Sequence, residues 1–148
     1  MRLLLLLSIR LLYFKAKPKM SSKSILIVED SVSITWRLLS FLREIEHLEI
    51  IGSVRNGTSG LKRIISDTPD IVLLDLQLPG INGLKILEAL QDKSKNKPYV
   101  IVFTNNSNFY FKERCLSLGA NEFYDKSVQF EEAIAAIRRL CQEEVSLQ

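Results

Sequence analysis

The sequence predicts an α/β domain built on a five-stranded, parallel, doubly wound sheet with five helices. Short aliphatic runs at residues 25–28 and 71–74 are typical of strands that are buried on both faces of a sheet. Segments with apolar residues at helical spacing follow such runs, as in Ile34, Leu38 and Leu42. The alternation of strand and helix occurs five times, which calls for right-handed crossovers and helices on both faces.

Capping and turn residues mark where the predicted elements end. Ser31 or Ser33 can cap the first helix, Pro69 ends the second helix, and Gly119 closes the fourth. The Asn56-Gly57 pair predicts a turn after the second strand. The predicted strands are 25–28, 48–54, 71–74, 99–104 and 122–124, and the predicted helices lie at about 34–45, 58–68, 82–90, 109–118 and 128–141.

The composition is that of an ordinary globular domain, with 47% hydrophobic and 25% charged residues in 148. The formal net charge of +3 comes from residues 1–19, which hold five basic residues and no acidic one. Residues 20–148 therefore carry +3 less 5, or −2, which gives no electrostatic case for nucleic-acid binding. Cys115 and Cys141 share no metal-ligand spacing, and we expect both to be buried thiols in a reducing cytosol.

Residues 1–19 form a basic and apolar leader that we separate from the predicted domain at residues 20–148. Its apolar run, 3–14, contains Ser8 and Arg10 and is shorter than the about 20 apolar residues that cross a bilayer. Three interpretations stay open: translation begins at Met20, which is favoured, the leader is a membrane-surface helix, or it is an export signal with a poor cleavage site. We expect a cytoplasmic protein, with membrane contact only if residues 1–19 are present in the cell.

Polar side chains stand at the ends of the predicted strands. Strand one ends on Glu29 and Asp30, strand three on Asp75, strand four on Thr104 and strand five on Lys126. The carboxyl ends of parallel strands lie on one edge of a doubly wound sheet, where such folds bind ligands. Three carboxylates repel one another, and a hard divalent cation such as Mg²⁺ supplies the counter-charge. A hydroxyl and an ammonium opposite the acids suit phosphoryl oxygens, and a carboxylate can itself accept a phosphoryl group.

Each of these residues has a simpler interpretation when it is taken alone. Glu29 and Asp30 fit helix-capping acids, and Asp75 fits a solvated loop residue. Thr104 fits an ordinary strand residue, and Lys126 fits an ordinary solvated one. Suitable residue types at all of these strand ends together favour one joint site over independent coincidences.

These motifs resemble the receiver domain of two-component response regulators over about residues 24–140. The resemblance rests on Val-Glu-Asp-Ser at 28–31, Leu-Asp-Leu-Gln-Leu-Pro-Gly-Ile-Asn-Gly at 74–83, the Thr104 strand end, and Gly119-Ala120 ahead of Lys126. It implies a flavodoxin-like fold in which Asp75 is phosphorylated by a histidine kinase or a histidine phosphotransfer protein. It implies these further roles: Mg²⁺ held by Glu29, Asp30, Asp75 and the backbone carbonyl of Gln77, phosphoryl oxygens bound by Thr104 and Lys126, and Phe123 as the switch aromatic.

Two positions depart from the pattern of the family. Ser127 follows Lys126 where the family usually has proline, so we expect a trans bond, since a cis bond before a non-proline residue costs about 2.5–4 kcal/mol. Asn105 fills a usually small position beside Thr104, and we expect it to narrow access to the phosphoryl group and to change the lifetime of that group. For Phe123 the alternative is a plain core ring.

The resemblance indicates a phospho-accepting switch that signals through a downstream effector protein and is not a turnover enzyme. Seven residues follow Cys141, so we expect no attached output module, and we expect output through the face that bears Phe123 and Tyr124. One alternative is a degenerate receiver that binds partners without phosphorylation. The other is a Mg²⁺-dependent hydrolase of the haloacid-dehalogenase type, which would lack its general acid because Gln77 stands two positions after Asp75.

Overall fold

A five-stranded parallel sheet runs through residues 21–92 and 95–143, which are the residues that the computed structural model describes. The strands are β1 (Lys23–Val28), β2 (Leu48–Val54), β3 (Ile71–Leu74), β4 (Tyr99–Thr104) and β5 (Glu122–Asp125). The helices are α1 (Val32–Leu42), α2 (Gly57–Asp67), α3 (Gly83–Gln91), α4 (Phe109–Ser117) and α5 (Phe130–Gln142). The strand order is β2-β1-β3-β4-β5 with every neighbouring pair parallel, so the predicted fold class is confirmed.

Two apolar layers cover the two faces of the sheet, because successive strand residues point to opposite faces. Ile25, Ile27 and Phe103 belong to the layer that packs against α1 and α5. Leu26 and Val28 belong to the layer that packs against α2, α3 and α4. The central strands are buried on both faces, so the polar side chains of interest lie where these strands end.

The structure shifts two predicted helix starts. Asn56 was predicted to form a turn, but its side chain caps α2, and the glycine that follows it is already the first residue of that helix. The predicted start of the last helix at Val128 is wrong, because α5 begins at Phe130 and Val128 is 73% exposed in the preceding turn. Ser31 caps α1, as one of the two alternatives predicted.

Two further sequence predictions concern the cysteines and the leader. Cys115 and Cys141 are both buried and free, as predicted. The leader at residues 1–19 lies outside the described residues. Within residues 21–92 and 95–143, no helix has the length and apolar composition needed to cross a bilayer.

Candidate functional site

The predicted site residues lie at the carboxyl edge of the sheet. Glu29 directly follows β1, Asp75 follows β3, Thr104 ends β4 and Lys126 follows β5. Their exposed fractions are 2%, 4%, 0% and 9%, so all four polar residues are buried at this edge. The amide of Asp75 donates to the carbonyl of Val28 at 3.0 Å, which continues the pairing of the two central strands as far as the acid.

Three carboxylates at this edge form a group that we call the acidic cluster: Glu29, Asp30 and Asp75. Each offers one oxygen, and these oxygens lie within 4.8 Å of one another. The amide of Ser31 donates to Glu29 Oε1 at 2.9 Å, and the amide of Gln77 donates to Asp75 Oδ1 at 3.2 Å. The carboxylates of Glu29 and Asp75 are therefore oriented by backbone amides of the loops that follow them. The role of the Gln77 carbonyl as a metal ligand stays a prediction.

Lys126 brings a positive charge from the end of the outer strand β5 to the acidic cluster. Its Nζ lies 2.8 Å from Asp75 Oδ2 and also forms an ion pair with Glu29 Oε2. The lysine backbone is fixed beside β4, because its amide donates to the carbonyl of Thr104 at 3.1 Å. The described residues contain no cis peptide bond, so the bond between Lys126 and Ser127 is trans, as predicted.

The charges of the site are unbalanced in a way that suits a divalent cation. Burial raises the pKa of Glu29 above its ordinary value of 4.5, and hydrogen bonds from Lys126 and the Ser31 amide oppose that rise. Three carboxylates face one ammonium, which leaves two formal negative charges in a partly desolvated place. The donor set consists of hard oxygen atoms, which is the set that Mg²⁺ takes in proteins.

Thr104 is fully buried and is the last residue of β4, at the same end of the sheet as Asp75. The register of β3 and β4 pairs Leu74 with Val102, so both polar residues extend beyond this pair. Thr104 Oγ1 accepts a hydrogen bond from the amide of Asn106 at 3.2 Å, an interaction that does not use the O–H donor of the hydroxyl. That donor suits a phosphoryl oxygen, and its use for that purpose stays a prediction.

Phe123 is 8% exposed and packs into the layer of the core on the side of α2, α3 and α4. This burial fits both interpretations of the ring, a core residue and a switch aromatic that points inward, so the switch role stays a prediction. Asn105, the other departure beside Thr104, is exposed.

Two residues next to the site were not singled out from the sequence. A Cβ built on Gly83 would lie 2.4 Å from the carbonyl oxygen of Asp75, so α3 begins in backbone contact with the loop of that acid. Gly83 is the last residue of the 74–83 motif, and this was the sequence signal that could have identified it. Asp125 accepts hydrogen bonds from Ser107 and Ser127, and nothing in its sequence context separates it from a solvated acid.

This fold and edge define a class of protein, namely parallel α/β domains with clustered acids and a lysine at the ends of their strands. The sequence profile of the family described as "Response regulator receiver domain" matches residues 25–138. The chain therefore belongs to the receiver domain family of two-component response regulators, whose members act in phosphorelay signalling.

Curated relatives agree with this membership. The DNA-binding transcriptional activator EvgA of Escherichia coli (strain K12) is 37% identical over 90 residues, which is 61% of this chain and 44% of EvgA. Response regulator ArlR of Staphylococcus saprophyticus is 36% identical over 117 residues, 78% of this chain and 51% of ArlR. A protein-glutamate methylesterase/protein-glutamine glutaminase of Clostridium acetobutylicum is 30% identical over 109 residues, 72% of this chain and 31% of that protein. The chain spans about half, or less, of the length of these relatives.

Solved structures show the same fold. The crystal structure of a DNA-binding response regulator of the LuxR family from Staphylococcus aureus has a TM-score of 0.73 at 24% identity, over 80% of this chain and 98% of that chain. The response regulator domain of Thermotoga maritima CheB has a TM-score of 0.70 at 19% identity, over 86% of this chain and 98% of that chain.

Proposed function

We propose that this receiver domain accepts a phosphoryl group on Asp75, with Mg²⁺ at the acidic cluster, and signals through partner proteins. The observation that carries the proposal is the Lys126 ammonium, which reaches from the end of β5 to Asp75 and Glu29 in a buried place. The ends of β1, β3 and β5 thus place the Glu29 carboxylate and the Lys126 ammonium beside the carboxylate of Asp75. When Asp75 accepts a phosphoryl group, that group carries about two negative charges, and a nearby ammonium and a cation are needed to offset them.

Asp75 is the nucleophile in the proposed transfer. One carboxylate oxygen forms a bond to phosphorus while the phosphorus–nitrogen bond of a phosphohistidine donor breaks, and the imidazole leaves with the electron pair and takes up a proton. The Lys126 ammonium and the Thr104 hydroxyl hold the phosphoryl oxygens as they gain charge. Bound Mg²⁺ supplies further charge neutralisation, and its proposed ligands are Glu29, Asp30, Asp75 and the carbonyl of Gln77.

We infer that a histidine kinase or a histidine phosphotransfer protein is the donor and that a downstream effector protein responds to the phosphorylated domain. Residues 20–148 carry a net charge of −2, which supports protein contacts rather than nucleic-acid contacts for this domain. Phe109 and Tyr110 on α4 are 77% and 70% exposed. Phe111 of the same helix packs against the core layer that contains Phe123. A shift of Phe123 in response to the phosphoryl group would therefore act on α4, and we propose that α4 and the face bearing Phe123 and Tyr124 form the output surface.

We infer that the domain hydrolyses its own aspartyl-phosphate and does not turn over an external substrate. The missing general acid at Gln77 supports this inference against the hydrolase alternative. The site residues are all of suitable chemical type, which supports a phospho-accepting receiver against a degenerate one.

One experiment separates these functions. The protein is incubated with acetyl phosphate and Mg²⁺, and its intact mass is compared with that of Asp75→Ala and of Asp67→Ala, a matched surface control on α2. We expect one added phosphoryl group on the wild type and on the control, and none on Asp75→Ala. A wild type without an adduct would support the degenerate receiver, and catalytic turnover of a generic phosphate ester would support the hydrolase.

A further inference from the structure

Asp125, the last residue of β5, joins two loops at the functional edge. One carboxylate oxygen, Oδ2, accepts a hydrogen bond from the Ser107 hydroxyl, in the loop between β4 and α4. The other oxygen, Oδ1, accepts from the amide of Ser127 at 2.7 Å and from the hydroxyl of the same residue. The two loops are thus bound to opposite oxygens of one carboxylate.

These two loops adjoin the two phosphoryl-binding candidates, Thr104 and Lys126. Ser107 lies three residues after Thr104, and Ser127 lies one residue after Lys126. The backbones already meet where the Lys126 amide donates to the Thr104 carbonyl at 3.1 Å, which ends the pairing of β4 and β5. Beyond that bond, the Asp125 carboxylate continues the connection between the two chain segments through side chains.

Ser127 gives a physical reason for the departure from the proline that the family usually has at this position. A proline has no backbone N–H and no hydroxyl, so it could make neither of the two hydrogen bonds that Ser127 donates to Asp125. Gln129 reinforces the turn, because its amide donates to the Asp125 carbonyl at 2.8 Å and its side-chain Oε1 accepts from the Asp125 amide at 3.0 Å. Hydrogen bonds to the carboxylate, that from Ser107 first, lower the pKa of Asp125 below 3.8, which keeps it an acceptor at neutral pH.

We propose that Asp125 is a positioning residue for phosphoryl transfer to Asp75. It fixes the Thr104 loop (residues 105–108, which follow Thr104) and the Lys126 loop (residues 126–129) relative to each other. This inference rests on the proposed function of Asp75. Thr104 and Lys126 approach from neighbouring strands, and a phosphoryl group between them needs both at the correct distance. A misplacement of about 1 Å in such a pair costs up to roughly a hundredfold in rate.

The test measures the rate constant of phosphorylation by acetyl phosphate at fixed Mg²⁺, using intact mass, for Ser107→Ala, Asp125→Ala and the double variant. We expect Asp125→Ala to lower the rate constant by roughly tenfold, and the double variant to be no slower than Asp125→Ala alone. Asp125→Asn should recover most of the rate, because its carbonyl can accept from Ser127 and its amide can donate to the Ser107 hydroxyl. Ser66→Ala removes a comparable bond, Ser66 to Asp67 at 2.7 Å on α2, and should leave the rate unchanged.

Amide hydrogen exchange of the same variants, without any phosphoryl donor, reports the connection itself. We expect Ser107→Ala to raise exchange in the Lys126 loop as well as in its own loop. Equal rates of adduct formation in wild type and Asp125→Ala would overturn the positioning role alone and leave Asp75 as the acceptor. A slow Asp125→Asn that matches Asp125→Ala would likewise overturn it. A wild type without an adduct would overturn the proposed function and this inference together.

Discussion

Asp30→Asn should stabilise the protein in the absence of Mg²⁺ and should reduce the further stabilisation that Mg²⁺ provides. The oxygens of the acidic cluster lie within 4.8 Å of one another, and one ammonium offsets one of the three charges. One pair of unit charges at that distance repels by about 0.9 kcal/mol in water and by about 3.5 kcal/mol at an effective dielectric constant of 20. Asp30 is half-buried, so we expect a gain in the free energy of unfolding near the lower end, about 1 kcal/mol.

Mg²⁺ should stabilise the wild type much more than it stabilises Asp30→Asn. At a concentration one hundred times its dissociation constant, a ligand that binds the native state alone adds about 2.7 kcal/mol to the free energy of unfolding. We therefore expect urea unfolding with MgCl₂ to show a large gain for the wild type and a much smaller gain for Asp30→Asn. Glu49→Gln, an exposed change on β2 that also removes one negative charge, should behave like the wild type. Equal stabilisation of all three proteins would refute the assignment of the acidic cluster as the cation site.

Three further predictions address the surroundings of the site. Lys126→Met leaves the buried carboxylates of Glu29 and Asp75 without an ammonium and should lower the free energy of unfolding by about 3 kcal/mol in urea titrations. Mg²⁺ should recover part of this stability. An unchanged unfolding midpoint would contradict the ion pairs. Gly83→Ala forces a Cβ against the Asp75 carbonyl oxygen and should cost about 2 kcal/mol in thermal unfolding, whereas a fully stable variant would contradict the close approach. Burial and a hydrogen bond to Glu122 raise the pKa of Tyr124 from 10.0 to about 12, so its contribution to stability should be present below pH 10 and be lost as the pH rises through about 12. Tyrosinate absorbance, compared with Tyr124→Phe, measures that titration, and ionisation near pH 10 would contradict it.

The fold was predictable because its signals are local. Four-residue aliphatic runs such as 71–74 are buried on both faces in the structure, and β2 has the bounds that were predicted. The convergence of Glu29, Asp75, Thr104 and Lys126 followed from topology alone, since parallel strands all end at one edge.

What the sequence could not reveal depends on contacts between distant residues. The start of α5 at Phe130 follows from the turn that Asp125 and Gln129 form, and an apolar residue at 128 gave no sign of it. The hydrogen bond between Asp125 and Ser107 joins residues 18 apart, and each of them alone is an ordinary polar loop residue. The burial of Phe123 does not distinguish a switch from a core ring, because both pack inward in one static state.

The most direct test of the central claim is the chemical location of the phosphoryl group. After reaction with acetyl phosphate and Mg²⁺, borohydride reduction converts an aspartyl-phosphate to homoserine, and peptide mass spectrometry identifies the residue that was converted. We predict homoserine at position 75 and an unchanged aspartate at position 30. Homoserine at position 30, or a phosphorylated protein with an unreduced Asp75, would contradict the account.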